Sequence, residues 1–316
     1  MDFLFASLGL VILVLAGDAL VRGAVNISLR LGVPALIVSL TIVAMGTSAP
    51  ELLIAIQAVI EDAPGLAVGN VVGSNTANVL LVLGLPALLA GLKTSDCDTR
   101  HSYVQMAVAT AVFVTVAFFQ PITWVHGIVL LGLFGLIMLM AIQKARHHRR
   151  SEARERRAIS EVEGADPGMS WGRIAIYVLL GMVGLPLGAD LLVDSSTNIA
   201  RSYSISETVI GLTLVAVGTS LPELATTVSA AFRRQADVAI GNVIGSNIAN
   251  LLAIIGAASF FGDIPVSAQV MSFDLWVMVA SSLLLFPFVF FGLNLNRAWG
   301  VVLTGLYAVY IIYVLF

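Results

Sequence analysis

The chain has 316 residues, of which 59% are hydrophobic and only 11% are charged, and its formal net charge is −3. Soluble domains carry about 25% charged residues, so this composition excludes an ordinary soluble domain and indicates a membrane protein with many spans. Cys97 is the single cysteine, which excludes a disulfide within the chain.

Ten apolar runs are long enough to cross a bilayer, since a membrane helix needs about 20 apolar residues. They are 3–20, 33–60, 66–90, 102–119, 123–142, 171–193, 205–232, 236–262, 270–292 and 297–316. We therefore predict an all-α membrane protein with ten transmembrane helices. A charged stretch, 144–170, separates a first five-helix half, 1–143, from a second, 171–316.

The basic residues predict the orientation. When the connections between runs are numbered from the N-terminus, 15 of the 16 Lys and Arg residues belong to odd-numbered connections, and only Arg201 belongs to an even one. Cytoplasmic loops carry an excess of Lys and Arg. We therefore expect the odd connections, including the linker 144–170, to be cytoplasmic and both termini to be outside.

A two-part motif occurs once in each half. The first copy reads Gly-Thr-Ser-Ala-Pro-Glu at 46–51 and Gly-Asn-Val-Val-Gly-Ser-Asn-Thr-Ala-Asn at 69–78. The second reads Gly-Thr-Ser-Leu-Pro-Glu at 218–223 and Gly-Asn-Val-Ile-Gly-Ser-Asn-Ile-Ala-Asn at 241–250, always 172 positions later. Five spans is an odd number, so the second half enters the membrane in the opposite sense. This predicts two inverted-topology repeats, an architecture with its binding site at the midplane.

The motif places a helix breaker beside an acid in each half. Pro50 and Pro222 lack an N–H, which leaves the carbonyl four residues earlier without its helical partner, and such carbonyls persist in a membrane only where they line a polar cavity. Glu51 and Glu223 follow directly, although a carboxylate at a helix centre costs about 2.5–3.5 kcal/mol. A structural brace satisfied by hydroxyls is the alternative, but the recurrence in both halves favours an ion site.

The oxygen atoms available to this site suit a hard cation. Carboxylates, carbonyls, hydroxyls and amides favour Ca²⁺, Na⁺ or Mg²⁺ over transition metals. The predicted metal ligands besides the two glutamates are Thr47, Ser48, Ser74 and Asn78 in the first half and Thr219, Ser220, Ser246 and Asn250 in the second.

These motifs resemble the alpha repeats of the cation/calcium exchanger superfamily, and most closely those of its prokaryotic sodium/calcium antiporters. The resemblance covers nearly the whole chain. It implies one Ca²⁺ site with neighbouring Na⁺ sites on the ten residues just named, first and sixth helices that slide across a fixed bundle, and a bacterial or archaeal cell membrane as the location. Some members carry an acid at the position of Asn250, whereas here Asn78 and Asn250 are both amides, so the site has two negative charges rather than three.

We expect a secondary antiporter that exports Ca²⁺ in exchange for Na⁺ by alternating access and so contributes to calcium homeostasis. Neighbouring carboxylates repel unless cations or protons neutralise them, so the loaded site should cross the membrane more easily than the empty one. Ca²⁺/H⁺ exchange and a passive cation channel are the alternatives. The resemblance favours Na⁺, because proton-coupled members usually have a Gly-Asn-x-x-Glu pattern around the first glutamate.

Other classes of function are disfavoured. His126 stands near the end of its predicted helix, and no His, Cys or paired Asp embedded in the membrane accompanies the serines as a base or nucleophile, so we do not expect an enzyme. No cofactor and no nucleic acid are expected. The expected partners are the transported ions, Ca²⁺ and Na⁺ or H⁺, and the lipid bilayer, with the protein working as a monomer.

Overall fold

The computed structural model describes residues 1–151, 166, 168–203 and 216–315, and this part of the chain is almost entirely helical. A short helix, Ala216–Gly218, precedes the helix that begins at Leu221. The main helices are α1 (Asp2–Leu31), α2 (Ala35–Thr47), α3 (Ala49–Ile60), α4 (Pro64–Ala90), α5 (Arg100–Phe118), α6 (Trp124–Ser151), α7 (Trp171–Ser202), α8 (Leu221–Phe232), α9 (Ala236–Ala258), α10 (Val270–Phe290) and α11 (Arg297–Leu315).

The prediction of a helical membrane protein is confirmed. Eight of the described helices are long and apolar enough to cross a membrane, and the bent pair α2 and α3 adds a ninth if it is counted as one span. The remaining predicted run, 205–232, is the seventh in chain order. Its first part, 205–215, lies outside the described residues, and α8 is the main helix of its described part. Ten spans therefore stay a prediction.

The linker prediction is only partly covered by the structure. Within 144–170, α6 continues to Ser151, so the first eight residues of a segment expected to lie beyond the membrane are helical. Lys, Arg and Ala favour helix outside a membrane as well as within it, which accounts for the extension. Positions 152–165 and 167 lie outside the described residues, and α7 begins at Trp171, where the second half was expected to start.

In the contacts between the connections that join the predicted spans, odd-numbered connections meet odd-numbered ones and even-numbered connections meet even-numbered ones. Leu92 and Leu295, in the third and ninth connections, form one antiparallel bridge, and Ile122 and Ile264, in the fourth and eighth, form another. Further hydrogen bonds with the same parity are Thr94 to Leu293, Asp166 to Asn26 and Val266 to Gln120. This pairing is the one expected if the two sets of connections lie at opposite ends of the bundle.

The helices that carry the second part of the motif form the centre of the bundle. In α4 and α9, 78% and 94% of the most apolar 18-residue window is buried. Small residues allow this close packing: a Cβ added to Gly241 of α9 would lie 2.8 Å from Leu36 O of α2, and one added to Gly245 would collide with Leu40 O. Ser39 Oγ also donates to Val238 O at 2.6 Å, which joins α2 to α9.

The longest helix pair, α1 and α7, packs through glycines in a reciprocal way. A Cβ added to Gly9 of α1 would lie 2.7 Å from Leu192 N, and one added to Gly181 of α7 would lie 2.5 Å from Leu20 Cβ. At the offset of 172 positions, Gly181 corresponds to Gly9 and Leu192 to Leu20. The same contact is therefore made twice, with the two halves exchanging roles.

Candidate cation site

The break between α2 and α3 presents the first part of the motif. α2 ends at Thr47, Ser48 has φ −87° and ψ 7°, and α3 begins at Ala49 at an angle of 44° to α2. Pro50 lies in the first turn of α3, where its missing N–H does no harm, and it cannot continue α2. The predicted interruption by Pro50 is confirmed. Glu51 lies in the same turn and is 1% exposed.

The second half repeats this local geometry. Ser220 has φ −91° and ψ 3°, Pro222 lies in the first turn of α8, and Glu223 follows it and is 1% exposed. Thr219 lies in the turn that precedes α8 and is half-buried. A helix N-terminus carries a partial positive charge that stabilises a carboxylate. Each half thus uses a helix start to hold its buried acid.

The serines and asparagines of the second part of the motif lie in the buried centre of α4 and α9. Ser74, Asn78, Ser246 and Asn250 are each at most 4% exposed. A π-helical segment begins at Asn78 in α4 and at the residue before Asn250 in α9. Such segments are rare and often mark functional positions in helices, and here both contain a predicted ligand.

Hydrogen bonds join the two copies of the motif. Ser48 Oγ donates to Glu223 Oε1 at 3.2 Å, and Thr47 Oγ1 lies 3.3 Å from Asn242 Oδ1. Glu51 is near enough to Glu223 for the two charges to repel each other. Residues predicted as ligands from opposite halves are therefore brought together.

Three asparagines of the motif contribute contacts that the sequence reasoning did not assign. Asn78 Nδ2 donates to Asn247 Oδ1 at 3.0 Å, and Asn75 Nδ2 donates to Asn247 O at 3.2 Å. Asn242 Nδ2 donates to Glu223 O at 3.4 Å. Asn75 and Asn247 occupy the same place in the two copies, so their recurrence was a signal that could have identified them.

One further buried acid was also missed. Asp274 is 8% exposed in the π-helical first turns of α10, and Tyr310 Oη of α11 donates to its Oδ1 at 3.0 Å. The sequence reasoning treated only Glu51 and Glu223 as acids deep inside spans. A tyrosine hydroxyl from another helix satisfies this third one, which no local pattern predicts.

Comparisons with known proteins identify the family. The family model described as sodium/calcium exchanger protein matches residues 2–143 and 173–316. The chain belongs to the sodium/calcium exchanger protein family. It is 35% identical to the sodium/calcium exchanger MaX1 of Methanosarcina acetivorans, over 98% of this chain and 97% of that one. It is 32% identical to the inner membrane protein YrbG of Escherichia coli, over 96% and 93%.

The fold of this exchanger-family protein is also found in solved structures. The sodium-calcium exchanger NCX_Mj, soaked with 2.5 mM Na⁺ and 1 mM Sr²⁺, matches with a TM-score of 0.82 and 31% identity, covering 98% of this chain and 97% of that one. The resemblance read from the two motifs is thus confirmed. The family is one of membrane exchangers, which makes the chain a transporter by class.

The buried polar atoms of the candidate site that lack a partner among the described residues fit a hard cation. A buried polar atom without a hydrogen bond costs about 1–3 kcal/mol, and oxygens of this kind are the ligands of Ca²⁺ and similar ions. Six buried oxygens of predicted ligands lack a hydrogen-bond partner among the residues that the structure describes: Glu51 Oε2, Glu223 Oε2, Asn78 Oδ1, Asn250 Oδ1, Ser220 Oγ and Ser246 Oγ.

The donor set also bears on how tightly an ion would be held. In the part of the chain that the structure describes, no group of three or more His, Cys, Asp or Glu side chains could hold a metal. A cation between Glu51 and Glu223 would therefore be held by two carboxylates and by neutral oxygens. Since the number of charged ligands tunes Ca²⁺ affinity, such a site suits reversible binding.

Proposed function

We propose that the protein is a secondary antiporter that exports Ca²⁺ in exchange for Na⁺. The observation that carries this proposal is the hydrogen bond from Ser48 Oγ to Glu223 Oε1, which joins the two copies of the motif across 175 positions. Two relatives, MaX1 and NCX_Mj, are named as sodium/calcium exchangers, which supports Ca²⁺ and Na⁺ as the transported ions.

The ligand roles follow from charge and position. Glu51 and Glu223 supply the negative charge for Ca²⁺, and Thr47 and Thr219, each four residues earlier, supply backbone carbonyls. Two bidentate carboxylates and two carbonyls make about six ligands, within the six to eight that Ca²⁺ takes. The neighbouring Na⁺ positions are lined by Ser48, Ser74 and Asn78 of the first half and Ser220, Ser246 and Asn250 of the second.

The charge of the site couples the two ions. Glu51 and Glu223 are each 1% exposed, and moving uncompensated buried charges costs several kcal/mol per ion. The empty site therefore resists the change of access, and a bound Ca²⁺ or Na⁺ removes that cost. Exchange follows, because each crossing requires a bound ion.

The architecture that supports alternating access is a pair of inverted five-helix repeats. Three observations support it: the matching backbone angles at Ser48 and Ser220, the reciprocal contacts of Gly9 and Gly181, and the parity of the loop contacts. Small residues let helices approach closely, and α1 and α7, the first and sixth predicted spans, slide across the rest of the bundle.

The orientation follows from the basic residues. The odd connections and the linker 144–170 face the cytoplasm, and both termini are outside, in the membrane of a bacterial or archaeal cell. The relative YrbG is named an inner membrane protein, which supports this location. The site is built within one chain, in keeping with a functional monomer.

The test is Ca²⁺ uptake into proteoliposomes that contain the purified protein and internal Na⁺. Uptake of radiolabelled Ca²⁺ that rises with the outward Na⁺ gradient and ignores a pH gradient supports the proposal. Uptake that follows only the pH gradient would replace Na⁺ with H⁺, for which the closeness of Glu51 and Glu223 is the physical reason, since neighbouring carboxylates share protons. Uptake with no counter-ion gradient would indicate a channel.

A further inference from the structure

An ion pair joins α1 to the end of α8. Arg233, the residue after α8, donates from Nε to Asp18 Oδ1 of α1 at 2.5 Å, and its Nη2 contacts the same oxygen. Arg22 Nε lies 3.0 Å from Asp18 Oδ2, so these two side chains form an ion pair, but this contact does not have the geometry of a hydrogen bond. The side chains of Arg233 and Asp18 are 15% and 34% exposed. Because water is partly excluded, this pair is stronger than one at a fully exposed surface.

The corresponding positions of the other half carry a different charge pattern. At the offset of 172, Asp18 corresponds to Asp190, but Arg22 corresponds to Asp194 and Arg233 to Glu61. Asp190, Asp194 and Glu61 are exposed. The side chains that attract each other at one end of the bundle, Asp18 and Arg233, therefore correspond to two acids at the other end, which would repel each other if they were brought together.

The packing shows the same asymmetry. α1 lies along α8, where a Cβ added to Gly17 would lie 2.8 Å from Ala225 O and 3.1 Å from Ser229 Oγ, and Ser229 is 8% exposed. The counterpart of Ser229 in α3 is Gln57, which is exposed. Among the described residues, α7 and α3 barely touch. One of two repeat-related interfaces is thus closed and the other open.

We infer that Asp18 and Arg233 are positioning residues that hold α1 on α8 and so set which end of the ion path is closed at rest. By the distribution of Lys and Arg, the closed end is the cytoplasmic one. The inference rests on the proposed alternating access. Glu61 and Asp190 prevent the matching contact at the outer end, so the two access states of a nearly symmetric bundle differ in free energy.

The ion pair therefore sets the apparent affinity for Ca²⁺ at each face. When the binding-competent state is only a fraction of the population, the apparent affinity falls by that fraction. Neutralising Asp18 or Arg233 should raise the apparent Ca²⁺ affinity at the cytoplasmic face and lower it at the outer face. A substitution that merely damaged the fold would weaken both.

The direct test measures the exposure of matched reporter cysteines. In a Cys97→Ser background, Ser229→Cys reports on the closed interface and Gln57→Cys on its open counterpart. A hydrophilic maleimide is applied to purified protein without Ca²⁺ or Na⁺. We expect slow labelling at 229 and fast labelling at 57. Arg233→Gln should raise the ratio of the rate at 229 to the rate at 57 several-fold.

Further variants separate this effect from simple charge or folding effects. Asp18→Asn should act like Arg233→Gln, and Glu61→Arg, which places a cation opposite Asp190, should shift the ratio in the same direction. Arg233→Lys keeps the charge and should retain the parental ratio. The matched control is Arg234→Asn, because Arg234 is exposed and asparagine tolerates its left-handed φ of 56°.

The outcomes decide between the possibilities. An unchanged ratio in Arg233→Gln, Asp18→Asn and Glu61→Arg would overturn the inference, as would an equal effect of Arg234→Asn. Variants that fail to fold are recognised by size-exclusion chromatography, and Arg233→Lys and Glu61→Arg then still test the charge requirement. If the parent protein shows no Na⁺-dependent Ca²⁺ uptake, the proposed function fails, whereas the labelling ratio still tests the ion pair.

Discussion

Replacing Glu223 by Gln removes one of the two negative charges of the candidate cation site and keeps the shape of the side chain. Glu223 is 1% exposed, its Oε1 accepts a hydrogen bond from Ser48 Oγ at 3.2 Å, and its Oε2 has no partner among the described residues. Because water does not screen this site, removing the anionic partner of a bound Ca²⁺ should cost about 3–5 kcal/mol, as does removing one partner of a buried ion pair. At about 1.4 kcal/mol per factor of ten, the half-saturating Ca²⁺ concentration should rise roughly 100- to 4,000-fold.

The assay is Ca²⁺ uptake into Na⁺-loaded proteoliposomes over a range of external Ca²⁺, normalised to the amount of inserted protein. Glu51→Gln should reproduce the loss. Asp62→Asn is the matched control, because Asp62 is exposed in the turn after α3 and asparagine accepts its φ of 57°. We expect no change in that variant. Normal half-saturation in both glutamine variants would refute the assignment of the two glutamates as ligands.

Three other substitutions probe the packing, the charge of the site and the additional buried acid. Gly245→Ala pushes a methyl group into a backbone carbonyl of α2 and should cost about 1–3 kcal/mol, seen as a lower unfolding temperature in detergent, whereas Gly305→Ala meets open space and should not. Asn250→Asp adds a third carboxylate, which raises the proton affinity of the cluster. As the pH is lowered, Ca²⁺ uptake should therefore fail at a higher pH in this variant than in the parent protein. An unchanged pH profile would place residue 250 away from the two glutamates. Tyr310→Phe leaves Asp274 without its hydroxyl donor and should destabilise the fold by about 1–3 kcal/mol with transport per folded molecule intact; loss of transport at unchanged stability would contradict this structural role.

Much of the local geometry of the site was predictable from sequence. A proline acts on the helix within one turn, through its missing N–H and its ring, so Pro50 and Pro222 were sufficient to predict both breaks. The adjacent glutamates were then bound to lie in the first turns of new helices. The contacts of Asn247 and Asp274 were not predictable in this way, because each depends on a partner from another helix.

The sequence by itself determined the class of the protein, the two matching halves and the residue types at the site, because apolar run length, helix breakers and a constant offset are properties of nearby residues. Only the tertiary structure decided which of two equivalent pairings forms, Ser48 with Glu223 or Ser220 with Glu51. Ser48 bonds to Glu223, whereas the buried hydroxyl of its counterpart Ser220 has no described partner. The physical reason is that a near-symmetric chain has two almost equivalent packings, and contacts between distant helices, such as Asp18 with Arg233, select one of them.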